Sequence, residues 1–192
     1  MNAATAIHLS IFGMHPVVVH GSDELKQRTL PPRVASGGDL HVCFGVTEPG
    51  AGLDTSRITT FARREGDHYI VNGRKVWISK AMESEKILLL TRTQRYDEVA
   101  KKTDGMTLFL TDLDRSRVEV RPIRKMGRNA VSSNELFIDD LKIPRRGSGR
   151  RGGQGIPVSF GRSEPGAYAH RSRGSRHRAG RSGPGRQVRQ RA

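Results

Sequence analysis

The spacing of apolar residues divides the chain into a helical start and a longer strand-rich part, with the change near residue 39. Residues 3–12 place apolar side chains at helical spacing, and Gly13 with Pro16 is predicted to end this first helix. A second helix is predicted to begin after Ser22, whose side chain can cap it, and to stop or kink at the proline pair 31–32. Residues 1–38 are therefore a helical segment.

Residues 39–144 consist of short apolar or alternating runs separated by turn signals, which is typical of strands. The runs cover residues 40–47, 58–64, 68–71, 75–78, 85–93, 106–113, 118–123 and 135–143. Asn72-Gly73 is predicted to be a tight hairpin turn, because this dipeptide favours two successive positive φ angles. Residues 94–105 are predicted to be a polar loop. About eight short strands predict a mainly antiparallel β-sandwich or barrel, and the chain is of the α+β class.

Residues 145–192 lose the apolar pattern and consist mainly of Arg, Gly, Ser and Pro. They hold thirteen arginines, no lysine and one acid, Glu164, whereas the first 144 residues hold 21 basic and 18 acidic side chains. Nearly all of the formal charge of +15 therefore lies in this tail, and the charge of the rest predicts no polyanionic partner. We expect the tail to be disordered, because it has too few apolar side chains to offset the entropy of ordering it.

Two stretches carry the candidate chemistry: residues 43–54 and residues 77–79. The first is a buried strand that stops at Thr47 and breaks into a Pro/Gly loop, where a hydroxyl and backbone N–H groups can face a ligand. The second contains Trp77, the sole tryptophan. We expect the two stretches to meet around a flat polar cofactor. The alternative is that Trp77 belongs to the core and residues 48–50 form an ordinary turn.

Several functions find no support in the residues. A single cysteine, Cys43, excludes an intrachain disulfide, and its apolar surroundings favour a buried hydrophobic residue over a reactive thiol. His41 and His68 are expected on strand surfaces, and no metal site is predicted from residue spacing. Residues 1–19 have no basic leader, so we expect no signal peptide, no membrane span and a cytoplasmic location.

Four motifs occur in a specific order: VTEPGAGLD at residues 46–54, NGRKVWIS at 72–79, MG at 126–127 and NELFIDD at 134–140. Together with the two helices before them, they resemble the acyl-CoA dehydrogenase family from about residue 2 to Pro144. The resemblance implies that residues 1–38 end an N-terminal helical domain and that residues 39–144 are the middle β-domain. It also implies FAD as cofactor and oxidation of the Cα–Cβ bond of an acyl-CoA thioester, in which a glutamate removes the α-proton and a hydride passes to the flavin.

The resemblance also implies roles for individual residues. The positions that face the flavin in the family fall here on Phe44, Gly45, Val46, Thr47, Trp77, Ile78 and Ser79. Gly52 and Leu53 match substrate-side positions, and Leu53 stands where a serine or threonine is usual, so a hydroxyl contact with CoA is lost. The family gives Glu48 no general-base role, and no catalytic residue is assigned here. Electron-transfer flavoprotein and a homotetramer are implied for the intact enzymes.

The change of composition after Pro144 is abrupt enough to indicate a shifted reading frame. If each tail codon joins the last base of one original codon to the first two bases of the next, the tail is compatible with AEDLVGEEGKGFRYLLDGLNPERMLIA and then EAVGIGRAALDRAVRYA. Both look like C-terminal helices of the family. We therefore expect residues 145–192 to be a frameshifted tail. The catalytic glutamate of the C-terminal domain would then not be encoded, leaving a truncated fragment with little or no activity.

Two alternatives remain open. The arginines of the tail would bind nucleic-acid phosphates nonspecifically and in a salt-dependent way, so the chain could be a nucleic-acid-binding protein built on a β-domain. Only Phe160 and Tyr168 are available in the tail to stack on bases, which weakens this hypothesis. The other alternative is a regulatory or partner subunit that kept a flavoprotein fold without its chemistry.

Overall fold

The fold was analysed in a computed structural model that describes residues 14–31 and 42–144. Residues 14–20 are helical (α1), and Asp23–Thr29 form a second helix (α2). The Ser22 side chain accepts a hydrogen bond of 3.2 Å from the backbone N–H of Leu25, which confirms the predicted cap. The helix predicted at residues 3–12 and the tail from residue 145 lie outside the described residues.

Pro16 lies within the helical residues 14–20. The predicted end of the first helix at Gly13 and Pro16 involves residues before 14, outside the described part of the chain, so it stays a prediction. The proline ring fixes φ near the helical value. Proline is therefore compatible with a helix at positions where the backbone N–H would make no hydrogen bond within the helix. In the part of the chain that the structure describes, no helix is long and apolar enough to cross a membrane.

Seven strands form one mixed but mainly antiparallel sheet. Their bounds are β1 Val42–Gly45, β2 Phe61–Glu65, β3 His68–Ser79, β4 Lys86–Arg92, β5 Met106–Asp112, β6 Val118–Pro122 and β7 Ser133–Pro144. The order is β1-β4-β2-β3-β7-β6, and β5 pairs with β4. The pairs β1·β4 and β2·β4 are parallel, and all others are antiparallel. The polar loop predicted at residues 94–105 joins β4 to β5.

All seven strands contribute side chains to a single hydrophobic cluster. One sheet can do this only if it curls around the cluster, so the barrel-like form of the predicted architecture is confirmed. A second cluster lies on the opposite face, where Met14, Val17 and Leu25 of the two helices pack against the sheet. Strand β4 is buried on both sides, since Ile87 and Leu89 belong to the first cluster and its other apolar residues to the second.

The predicted hairpin at Asn72-Gly73 is wrong, because β3 runs through both residues without turning. The chain turns at Gly66-Asp67 instead, where Gly66 has φ 58°. At Gly73 a Cβ atom would come within 2.7 Å of the Thr60 Cα, so the glycine is required by close packing. The Asn72 side chain bonds with Asp140 of β7 beside a break in the strand register. Asn72-Gly73 therefore lies at a β-bulge in the pairing of β3 with β7.

Candidate functional site

The two candidate stretches meet, as predicted. The backbone N–H of Val76 donates a hydrogen bond of 2.9 Å to the carbonyl oxygen of Thr47. One residue earlier on each segment, the Lys75 Nζ donates to the carbonyl oxygen of Val46 at 3.1 Å. These two bonds join the residues after β1 to the second half of β3 and so bring Thr47 close to the segment of Trp77. We call the part of the domain surface formed by Thr47 and residues 77–79 the edge.

Trp77 stands out from the sheet at this edge. The residue is 60% exposed, and its φ of 61° places the backbone in the left-handed region. The pairing of β3 with β7 is interrupted between Lys75 and Ile78, so Trp77 lies on a β-bulge. Asn134 of β7 donates a hydrogen bond of 2.9 Å from its Nδ2 to the carbonyl oxygen of Ile78. The alternative that Trp77 is a core residue is therefore wrong.

The other predicted cofactor-facing residues occupy different environments. Thr47 and Ser79 are half-buried, and within the described residues neither hydroxyl has a hydrogen-bond partner. Ile78 is only 2% exposed and belongs to the core, so only its backbone reaches the edge. Gly45 is buried as well. A Cβ atom there would lie 2.9 Å from the Ile87 Cδ1, so glycine allows β1 to approach β4.

Phe44 and Val46 are half-buried and pack against the cluster that also contacts the helices. The predicted substrate-side residues, Gly52 and Leu53, are both exposed. Leu53 is fully exposed, which is unusual for a large apolar side chain of a folded domain. Gly52 has open space around it, since a Cβ atom there would meet nothing within 4 Å. These two residues lie on a loop away from the packed interior.

Behind the edge lies a buried ion pair that the sequence did not reveal. The Lys75 Nζ donates a hydrogen bond of 2.8 Å to Glu48 Oε1, and the two side chains are 0% and 3% exposed. Glu48 Oε2 accepts from the backbone N–H of Thr59 at 2.6 Å and from its hydroxyl at 2.8 Å. Glu48 Oε1 also accepts from the N–H of Thr60 at 3.0 Å. The carboxylate therefore has four donors in a site that is almost closed to solvent.

The electrostatics follow from these contacts. Burial by itself would raise the pKa of Glu48, but the Lys75 ammonium and the donors from Thr59 and Thr60 outweigh burial and hold the pKa at about 2. Burial lowers the pKa of Lys75 to about 8, against the opposing attraction of Glu48. Both groups are charged at neutral pH. Both Glu48 oxygens are engaged by these donors, and the absence of a general-base role stays a prediction.

A pattern in β3 could have indicated the pair. Val71, Gly73 and Lys75 alternate with exposed residues, so the period of two places Lys75 on the buried face. A lysine pointing inward needs an acidic partner. The sequence does not name that partner, because Glu48 lies 27 positions away.

Two residues with candidate chemistry remain, Cys43 and His68. Cys43 is 1% exposed, and burial raises the pKa of its thiol to about 12. His68, half-buried, lies beside Asp67, with 3.1 Å between the Nδ1 and the carboxylate oxygen. Across residues 14–31 and 42–144, no group of three or more His, Cys, Asp or Glu side chains is placed to hold a metal ion.

Comparison with known proteins identifies the domain. Residues 43–141 match the family described as "Acyl-CoA dehydrogenase, middle domain". The curled sheet is therefore the middle β-domain of this family. The chain belongs to the acyl-CoA dehydrogenase family, whose members use FAD.

Individual relatives agree with this assignment. The chain is 35% identical over 129 residues to a 3-(aryl)acrylate reductase of Clostridium sporogenes, which covers 67% of this chain and 33% of the relative. It is 27% identical over 157 residues to a glutaryl-CoA dehydrogenase of Desulfococcus multivorans, and the match covers 81% of this chain and 39% of the relative. The crystal structure of a probable acyl CoA dehydrogenase from Mycobacterium abscessus superimposes with a TM-score of 0.65 at 31% identity. The superposition covers 74% of this chain and 36% of that structure's chain. The chain thus spans between 33% and 39% of the length of these relatives.

Proposed function

We propose that this chain supplies the flavin-facing side of an FAD-dependent acyl-CoA dehydrogenase, which carries out α,β-dehydrogenation of acyl-CoA thioesters. The observation that carries the proposal is the 2.9 Å hydrogen bond from the Val76 N–H to the Thr47 carbonyl. It joins the segment that carries the half-buried Thr47 hydroxyl to the one that carries the exposed Trp77 indole.

The residues at this edge fit a flat ring system with a polar rim. Trp77 offers a large apolar surface for contact with a ring. The hydroxyls of Thr47 and Ser79 have no protein partner among the described residues and can bond to the rim. Phe44 and Val46 would line the cofactor with side-chain atoms, and Gly45 and Ile78 would contribute backbone only. When bound, FAD supplies the acceptor for the hydride that leaves the substrate.

We place the substrate on the side of Gly52 and Leu53. Both are exposed, and Leu53 offers an apolar surface where the family usually has a hydroxyl. The acyl-CoA would then lose one polar contact, and the identity of the acyl group is left to other parts of the protein. Electron-transfer flavoprotein as electron acceptor and a homotetrameric assembly are further proposals that rest on the family alone.

We also propose that residues 145–192 are an out-of-frame translation and that the catalytic glutamate is absent from this chain. The support is the concentration of thirteen arginines in those residues, together with the family-like sequence in the alternative frame. Resequencing the gene across the Pro144 codon tests this proposal. If no single insertion or deletion near that codon restores an open frame, the proposal is wrong.

FAD binding is tested by titrating the full chain and following the visible spectrum of the flavin after removal of free ligand. We expect saturable binding that Trp77→Leu weakens about tenfold, because the variant loses most of the contact area offered to the ring. Tyr96→Leu is the matched control, since Tyr96 is an exposed aromatic residue of the β4–β5 loop. Absence of saturable binding, or equal effects of both substitutions, would contradict the proposal.

A dye-linked assay with acyl-CoA substrates separates the remaining hypotheses. A bound flavin without turnover is the outcome expected for a chain that lacks its catalytic base. Turnover by the 192-residue chain would show that a catalytic base is present and would overturn the truncation proposal. Salt-sensitive binding of RNA without any flavin binding would favour the nucleic-acid alternative.

A further inference from the structure

The buried pair Glu48–Lys75 lies directly behind the edge that carries Thr47 and Trp77. Lys75 is followed on β3 by Val76, whose N–H bonds to Thr47, and then by Trp77. Glu48 follows Thr47 directly. The two charged residues are therefore sequence neighbours of the residues proposed to contact the flavin, while their own side chains point into the domain.

Three chain segments converge on the pair. Glu48 is bonded to Thr59 and Thr60 through both carboxylate oxygens. Lys75 bonds to Glu48 and to the carbonyl of Val46. The loop after β1, the segment before β2 and the middle of β3 are thus tied together at one point. In the low-dielectric interior these charge-assisted bonds are directional as well as strong.

The backbone around Trp77 needs such an anchor. A tryptophan with φ 61° is in an unfavourable conformation that persists only when neighbouring contacts determine it. On the C-terminal side, Asn134 holds the carbonyl of Ile78. On the N-terminal side, Lys75 and Val76 bond to the loop after β1, in addition to the pairing of β3 with β7.

We propose that Glu48 and Lys75 are positioning residues: their buried pair holds the Thr47 carbonyl on the Val76 N–H and so fixes where Thr47 and Trp77 stand relative to each other. The proposal deepens the proposed function, on which its cofactor part rests. It also makes a claim about the protein alone, namely that this edge is ordered before any ligand binds. Preorganisation of this kind increases affinity by reducing the ordering required on binding.

The test uses Lys75→Met, which keeps the length of the side chain but removes the ammonium donor. Arg74→Met is the matched control, because Arg74 is the adjacent residue and pairs with Glu135 at the surface, where the Arg74 side chain is 51% exposed. Hydrogen exchange of the Val76 amide is measured by NMR in the full chain without flavin. Exchange of amides in β4 reports on the stability of the sheet as a whole.

We expect Lys75→Met to accelerate exchange at Val76 about tenfold more than exchange in β4, and to increase quenching of the Trp77 fluorescence. Arg74→Met should leave this ratio unchanged. Equal acceleration at Val76 and in β4 would show only a general loss of stability and would overturn the positioning role. No change at Val76 would overturn it as well.

A second variant covers the case in which Lys75→Met does not fold. Glu48→Gln combined with Lys75→Met leaves no isolated buried charge, and removal of both charges of such a pair is often tolerated. This double variant should fold and still show the selective loss of protection at Val76. If it folds and keeps the wild-type ratio, the pair has no positioning role.

FAD titration then connects the pair to the cofactor. The double variant should bind FAD about tenfold more weakly than the wild-type chain, whereas Arg74→Met should bind within about twofold of it. If the wild-type chain binds no FAD, the proposed function fails, but the exchange ratio still decides the positioning role. If FAD binds equally to all variants while the exchange ratio changes, the link between the pair and the cofactor is refuted.

Discussion

Replacing Glu48 by glutamine tests whether the buried pair stabilises the fold as its geometry indicates. Glutamine has nearly the same shape as glutamate and mimics its protonated, neutral state. In Glu48→Gln the Lys75 side chain remains buried but loses its counter-charge. Removing one partner of a buried pair costs about 3–5 kcal/mol, so we expect a loss of this size at pH 7.

The pKa of Glu48 gives the same magnitude by an independent route. The folded state holds this pKa at about 2, compared with an ordinary value of 4.5. Each unit of difference corresponds to about 1.4 kcal/mol, so ionised Glu48 contributes about 3 kcal/mol to the free energy of unfolding. Because the folded pKa is the lower one, this contribution is complete above about pH 4.5 and is lost as the pH falls toward 2. Protonated wild type should then behave like the glutamine variant.

Urea unfolding followed by circular dichroism at pH 7, 5, 4 and 3 measures the difference between wild type and Glu48→Gln. The gap should be about 3 kcal/mol at pH 7 and should narrow steadily below pH 4.5. Glu135→Gln is the control, since its pair with Arg74, whose side chain is 51% exposed, should contribute only about 0–1 kcal/mol. A gap that stays constant between pH 7 and 3, or no gap at pH 7, would refute the role assigned to Glu48.

Three further predictions concern the sheet. Gly73→Ala should destabilise the domain by about 1–3 kcal/mol in urea unfolding, because its Cβ would lie 2.7 Å from the Thr60 backbone, whereas Gly52→Ala, which meets nothing, should have little effect. Leu89→Ala should cost about 2–5 kcal/mol in the same assay, since Leu89 is fully buried in the core. Cys43 should react with a thiol reagent only after unfolding, because it is 1% exposed and burial raises its pKa to about 12; rapid reaction of the native chain would contradict this.

The sequence predicted most strands because their signals are local. The run of four apolar residues from Ile87 to Leu90 marks a strand that is buried on both faces, and this is where the structure places β4. The cap at Ser22 was found for the same reason, since the cap and its first-turn acids are adjacent in the chain.

Predictions failed where a local signal served a different contact. Asn72-Gly73 has the composition of a hairpin turn. Instead, Thr60, just before β2, lies close to Gly73, and Asp140 of β7 bonds with Asn72, so the dipeptide lies at a bulge. The candidate site divides in the same way. Its residues were found from the family motifs, whereas the partner of Lys75 depends on a fold that brings Glu48 beside it across 27 positions.

The buried charges also explain how a strained edge can remain in one register. An apolar pair of similar volume would fill the same space and would often be at least as stable, so stability alone does not account for a buried lysine and glutamate. Apolar contacts are not directional, however, and a bulge such as that between Lys75 and Ile78 is a point where strand pairing can slip. Lys75 can satisfy both the Val46 carbonyl and Glu48 in one alignment, and that alignment puts Val76 opposite Thr47. A shift of β3 relative to the loop after β1 would separate the buried ammonium from both of its partners, so the pair favours the alignment that puts Val76 opposite Thr47.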